Sequence, residues 1–208
     1  ATLQATAERF FFNQPLPLVP APAQQAFVSP AEIPSDALGF GRTAAGFGKV
    51  YLSPMHGALL AGTVGNRGMA VEPRLVEAFF QGGRRSPAPA PREVRVVSEA
   101  TSAMLTAMMQ RTVAEGTARK AFHKGGRGVL SDIAVAGKTG SLSDHPPLPF
   151  KDYSWFVGFA PAENPRVAVA AVVVNGHRWQ VKASTLAKQT FQSFFEGELA
   201  KNRRASND

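Results

Sequence analysis

Three short apolar runs in the second half of the chain constrain its fold more than any other feature. IAVAGKTG from Ile133, YSWFVGFAP from Tyr153 to Pro161 and RVAVAAVVVNG from Arg166 to Gly176 have strand length and strand composition, with turn residues between them. The four-residue AENP connection predicts a hairpin between the last two. From Val167 to Val174 the chain is almost wholly apolar, which predicts cover on both faces. Strands near 133–140, 153–160 and 167–174 are therefore expected to pair in sequence order. Two helices are expected beside them. One spans 98–115 behind Ser98 as N-cap, with Ala100, Met104, Leu105, Met108, Met109 and Val113 as a buried face and Gly116 closing it. The other spans about 184–201, with Ala187, Phe191, Phe194, Phe195 and Leu199 facing inward. The expected class is α/β of the α+β kind, an antiparallel sheet with helices on its faces.

The first half is punctuated differently. Residues 10–35 hold six prolines, and GFG at Gly39 to Gly41 with Gly46 and Gly48 continues a turn-rich stretch, so 10–48 reads as irregular. Ser53-Pro54 then has the pattern of an N-cap with Pro at the first helical position, and Met55, Leu59, Leu60, Thr63 and Val64 follow at helical spacing up to Gly65 or Gly68. A short extended piece is expected around Val71 to Phe80. GGRRSPAPAPR at 82–92 reads as a surface loop. No internal repeat is evident.

Composition narrows the chemistry. The 208 residues include no Cys, which excludes disulfides, thiolate metal sites and a cysteine nucleophile. The four His show no HxxxH or HExxH spacing. No apolar run approaches the ~18–20 residues that cross a bilayer, and ATLQATAERFFF carries no cleavable signal pattern. The net charge of +8 comes from scattered residues such as Arg84, Arg85, Arg111, Arg119, Lys120 and Lys201. There is no long basic run and no nucleic-acid-binding motif, which argues against nucleic acid as a partner.

The stretch Ala136 to Ser141, A-G-K-T-G-S, invites two incompatible readings. A phosphate-binding loop, G-x-x-x-x-G-K-[ST], would need Gly at position 132, which is Asp132, and a helix afterwards, where Pro146, Pro147 and Pro149 stand. That reading fails twice. The alternative is the K-T-G element of serine acyl-transfer enzymes, which belongs on a strand bordering a cleft. There the Lys138 ammonium polarises a proton relay and attracts a substrate carboxylate, while the Thr139 hydroxyl, expected to point the same way, donates to that carboxylate. Gly140 leaves the strand edge bare for a peptide-like substrate. The Ser141 backbone N–H can then donate to a developing oxyanion.

MMQRTVAEGTARKA, VAGKTGS and YSWFVGFAPAENPRVAVAAVVV together resemble the C-terminal part of penicillin-binding protein transpeptidase domains, and SPMHGALLAGTVGNRGMAVEPRLV resembles the segment before it. The likeness runs in order from about Gly39 to Phe195 and looks most like the class B, monofunctional members. It implies D,D-transpeptidation of peptidoglycan stem peptides through a serine acyl-enzyme, inhibition by β-lactams, and no metal or organic cofactor. It assigns Lys138, Thr139 and Gly140 to the third family motif, with Ser141 where Thr is also common. It also implies a location on the outer face of the cytoplasmic membrane, in the periplasm, anchored by upstream sequence.

The departures from the family pattern are specific. No Ser in the chain has Lys three residues on; Ser184 comes nearest, with Lys188 one residue too far. No Ser has Asn two residues on. By the resemblance, 1–208 is the C-terminal part of one transpeptidase domain, cut after the S-x-x-K and S-x-N motifs and lacking the first strands of its sheet. The chain alone is then expected to be catalytically silent. The apolar 167–174 strand would lie at an edge, a form prone to association, and is expected to pair with the upstream part of the same domain or with another chain. The competing reading is a non-enzymatic basic module that binds anions or serves as a scaffold. His145 reads as a loop residue, Glu115 as a helix-end residue, and Trp155 as a strand residue that packs rather than stacks on substrate.

Overall fold

A computed structural model describes residues 2–17, 28–124, 127–128, 130, 133–144, 148–176 and 178–205. Helices are α1 (Thr2–Arg9), α2 (Ala37–Ala44), α3 (Pro54–Gly65), α4 (Glu99–Ala114), α5 (Arg119–Phe122) and α6 (Ala183–Ala205). Strands are β1 (Met69–Val71), β2 (Ala78–Gln81), β3 (Arg84–Pro87), β4 (Glu93–Arg95), β5 (His123–Lys124), β6 (Arg127–Gly128), β7 (Ala136–Ser143), β8 (Asp152–Ala160) and β9 (Val167–Asn175). The last three form one antiparallel sheet in the order β7-β8-β9, and the other strands pair as two-stranded ribbons.

Register decides which side chains share a face, because successive strand residues point to opposite sides. Lys138 lies opposite Val157 and Thr139 opposite Phe156; Phe156 in turn faces Ala171, and Val157 faces Ala170. One face thus carries Thr139, Phe156 and Ala171. It is closed by α5 and α6: Phe122, Phe156, Ala171, Ala183, Ala187 and Phe191 form one buried cluster. Ser154 Oγ accepts the Ala183 N–H at 3.0 Å, which fixes where α6 begins. The other face carries Lys138, Val157 and Ala170. There Ala61 and Val64 of α3 and Leu105 and Met109 of α4 pack on Ala136, Phe159 and Ala168. A Cβ on Gly57 would come within 3.1 Å of both Ala170 and Val157, so this glycine lets α3 lie close on the sheet.

The helix signals at Ser53 and Ser98 act as expected. Each hydroxyl accepts a backbone N–H three residues on, at 3.1 Å in both, from His56 and Thr101. Gly116 passes so close to Thr112 that an added Cβ would lie 2.9 Å from its Cα, so a close approach explains this glycine. Other features differ from expectation. The stretch read as irregular contains α2, capped by Asp36, whose carboxylate accepts the Gly39 N–H at 2.8 Å. The proline-rich loop at 82–92 contains β3, paired in register with β2. On α4, Met104 and Met108 are exposed, at 61% and 58%, while Ser102 and Val113 are buried. The expected face is therefore split: Leu105, Met109 and Val113 turn inward together with Ser102, while Ala100, Met104 and Met108 face outward. Helix α6 buries Ala187 and Phe191 fully and half-buries Phe194 and Phe195, which meet edge to face at 5.1 Å. The side chain of Leu199 lies outside the described residues.

The first helix is tied down by polar contacts. The Arg9 guanidinium donates to the Val96 carbonyl, and His56 Nε2–H donates to the Phe10 carbonyl at 2.6 Å. His56 is fully buried, its ring 4.6 Å from that of Phe12. Burial holds its pKa below the ordinary histidine range, and the Phe10 bond opposes this only in part.

Candidate active site

The A-G-K-T-G-S stretch lies on β7, at one edge of the sheet. Its two glycines have different physical roles. A Cβ on Gly137 would sit 2.1 Å from the Phe156 ring, so Gly137 is the floor on which that ring packs. At Gly140 the nearest atom would be Trp155 Cβ at 3.2 Å, on the neighbouring strand. Among the described residues no strand pairs with the outer edge of β7.

Lys138 is exposed and Thr139 half-buried. The Lys138 ammonium donates to the Thr139 carbonyl at 2.7 Å. Among the described residues it forms no ion pair, so its charge is available to a ligand. The two side chains do not point the same way, because successive strand residues leave opposite faces: Lys138 is on the α3 side and Thr139 on the α6 side, where its hydroxyl meets that of Thr117 at 2.6 Å. Ser141 is exposed. Beyond it the strand is locked to β8. Asp152 accepts from Ser143 Oγ at 2.5 Å and from Trp179 Nε1 at 2.6 Å, and Tyr153 donates to Asp144 at 2.8 Å. That last bond, with burial, raises the Tyr153 pKa above the usual phenol value.

Lys138, Thr139, Gly140 and Ser141 thus stand together on one straight edge. Sequence reading did not single out Thr117, Asp152 or Trp179; Thr117 lies 22 residues from Thr139, and no periodic signal links them. Glu115 caps α4 and pairs with Arg111 at 3.2 Å, as a helix-end residue does. Trp155 is half-buried opposite Gly140. His145 lies outside the described residues. Two cavities adjoin the same helices. A groove of about 1140 Å³ runs between α3, α4 and the β8–β9 turn, and an apolar pocket of about 330 Å³ lies between α1 and α3. Neither is lined by Lys138, Thr139 or Ser141.

Comparison with known proteins gives this geometry a family. The penicillin binding protein transpeptidase domain profile matches residues 2–196. The peptidoglycan D,D-transpeptidase PbpA of Mycolicibacterium smegmatis is 31% identical over 178 residues, 84% of this chain and 34% of that protein. PbpA of Mycobacterium tuberculosis is 32% identical over 198 residues, 90% of this chain and 37% of that protein. The chain therefore spans about a third of the length of these relatives. Penicillin-binding protein A of M. tuberculosis, solved as an imipenem acyl-enzyme complex, superposes with a TM-score of 0.76 at 26% identity, over 93% of this chain and 41% of that one. Penicillin-binding protein 3 of the same organism shares the fold, with a TM-score of 0.73 at 21% identity, over 94% of this chain and 46% of that one. With an edge strand bearing Lys-Thr-Gly and a profile match over nearly its whole length, the chain belongs to the penicillin-binding protein transpeptidase family, whose C-terminal portion it resembles.

Proposed function

We propose that this chain forms one wall of a serine D,D-transpeptidase site that cross-links peptidoglycan stem peptides and is acylated by β-lactams. The nucleophilic Ser and its activating Lys come from sequence outside these 208 residues, because no S-x-x-K occurs within them. The observation that carries this reading is the edge strand itself: Lys, Thr and Gly are consecutive on it, and among the described residues the Lys forms no ion pair and no other strand occupies the outer edge. It supports the main reading over a basic scaffold, which requires no such edge.

In the reaction the external Ser gives its proton to its activating Lys as Oγ attacks the penultimate D-Ala carbonyl. The C–N bond to the terminal D-Ala breaks, and that residue leaves as an amine, taking the proton from the Lys. An amine from a second stem peptide then attacks the acyl-enzyme, gives a proton to the same Lys and displaces the Ser, which takes that proton back. Lys138 attracts the terminal carboxylate and polarises the proton relay, Thr139 donates to the carboxylate, and the Ser141 N–H stabilises the tetrahedral oxyanion. Gly140 lets the peptide lie against the strand. The site works on the outer side of the cytoplasmic membrane, where that polymer is built. The outer edge of β9 pairs with upstream sequence of the same domain or with another chain; among the described residues it has no partner strand.

The test is the acylation rate of the gene product that carries this chain. Lys138→Ala should slow acylation by a fluorescent penicillin by about 10²–10³, the range for removing one electrostatic stabiliser. Its unfolding midpoint should stay close to that of the wild type, since an exposed Lys buries few apolar atoms. Unaltered acylation would remove Lys138 from the site.

A further inference from the structure

The contact between Thr117 and Thr139 has a consequence for substrate selection. We propose that Thr117 is a positioning residue that sets the proton of the Thr139 hydroxyl, and so makes the site selective for ligands bearing a free carboxylate. This inference rests on the transpeptidase reading and extends it to a residue outside the K-T-G motif.

Thr139 is held at two points. Its carbonyl takes the Lys138 ammonium at 2.7 Å, and its Oγ1 lies 2.6 Å from Thr117 Oγ1. A hydroxyl has one proton and can accept from others. If Thr139 donates to Thr117, that proton is withheld from a ligand. An arriving carboxylate can only accept, so it draws the Thr139 proton to itself, and Thr117 then donates to Thr139. The resulting chain, Thr117 to Thr139 to carboxylate, has every donor pointing the same way, and each bond strengthens the next.

Thr117 is rigidly supported for this task. Before it, the Gly116 N–H donates to the Arg111 carbonyl at 3.0 Å, and Gly116 passes too close to Thr112 for any side chain. After it, Ala118 is fully buried in the same cluster as Phe156, and its N–H donates to the Thr112 carbonyl at 3.2 Å. Phe156 is the cross-strand neighbour of Thr139. The turn after α4 and the K-T-G strand are therefore referenced to one packed core. A residue that holds a binding group to within fractions of an ångström needs that kind of support.

The experiment compares acylation by a penicillin with acylation by its methyl ester, in the gene product that carries this chain. The readout is the acid-to-ester ratio of second-order rates within each variant, so a loss of folded protein cancels. Thr117→Val should lower that ratio about fivefold, the scale of one hydrogen bond between neutral groups. Thr117→Ser should keep it within about twofold. Thr117→Ala should reproduce the valine result if valine is not accommodated. An unchanged ratio in both Thr117→Val and Thr117→Ala, with or without loss of stability, would overturn the proposal and leave Thr117 as a structural tie. A wild-type protein that reacts with neither compound would overturn the transpeptidase reading itself, and this inference with it.

Discussion

The two faces of the β7-β8-β9 sheet are built to different standards. On the α6 side Phe122, Phe156, Ala183, Ala187 and Phe191 close into a dry cluster, with Phe156, Ala183, Ala187 and Phe191 at 0% exposure. On the α3 side, among the described residues, the sealed end is the one where Phe159 and Ala136 meet α3 and α4. Toward the other end Lys138 is exposed and Trp155 half-buried. One face stabilises the sheet. The other keeps a charged, uncovered stretch beside the edge that carries Lys-Thr-Gly. On the proposed reading, a strand that presents an ammonium to a ligand is left unpacked on that side, while the opposite face supplies the packing.

Substitutions can break or sharpen that contrast. Phe156→Ala should cost the most, about 3–5 kcal/mol, because the ring is fully buried over Gly137 and the cavity cannot collapse onto a rigid strand. Urea unfolding measures it. Trp155→Ala removes a larger ring from the half-covered face, yet should cost only about 1–2 kcal/mol, within the ordinary range for a partly exposed site. Equal losses at the two positions would mean that the α3 side is as well sealed as the α6 side.

His56, on the α3 side, gives the contrast a pH dependence. Its folded pKa lies below the ordinary 6.5, so the unfolded chain takes up a proton that the folded one refuses. Its contribution is fully present above pH 6.5 and is lost as pH falls toward the folded value, with a slope of at most about 1.4 kcal/mol per pH unit. Denaturation midpoints measured between pH 7.5 and 5 should fall in the wild type and fall less in His56→Gln. Parallel profiles would remove His56 as the cause. The smallest effect belongs to the exposed methionines: Met104→Ser and Met108→Ser should each change stability by less than about 0.5 kcal/mol.

Much of this was legible in the sequence, and the parts that were not share a cause. Strand order followed from local signals: three apolar runs, a four-residue connection, and turn residues between them. The caps at Ser53 and Ser98 were readable because a cap acts within three residues. On α4 the apolar residues cover more than one side, so periodicity could not tell Met104 from Leu105; only the position of β7 and α3 decides that. Helix α2 was hidden by its glycines, although Asp36 was in place as its cap. At the site, Lys138 to Ser141 could be read as a contiguous motif. The Thr117 contact could not, because the turn that brings it to Thr139 depends on Ala118 packing into the cluster that Phe156 and Ala171 of the distant strands help form.

One measurement bears most directly on the assignment of a split site, with the carboxylate-binding edge in these residues and the nucleophile elsewhere. The gene product that carries this chain is incubated with penicillin, weighed intact and mapped by peptide, beside the 208-residue chain alone. The expected result is a single hydroxylamine-sensitive adduct on a Ser outside residues 1–208 and none on the isolated chain. A stoichiometric adduct on any Ser within these residues would contradict it and require a new nucleophile.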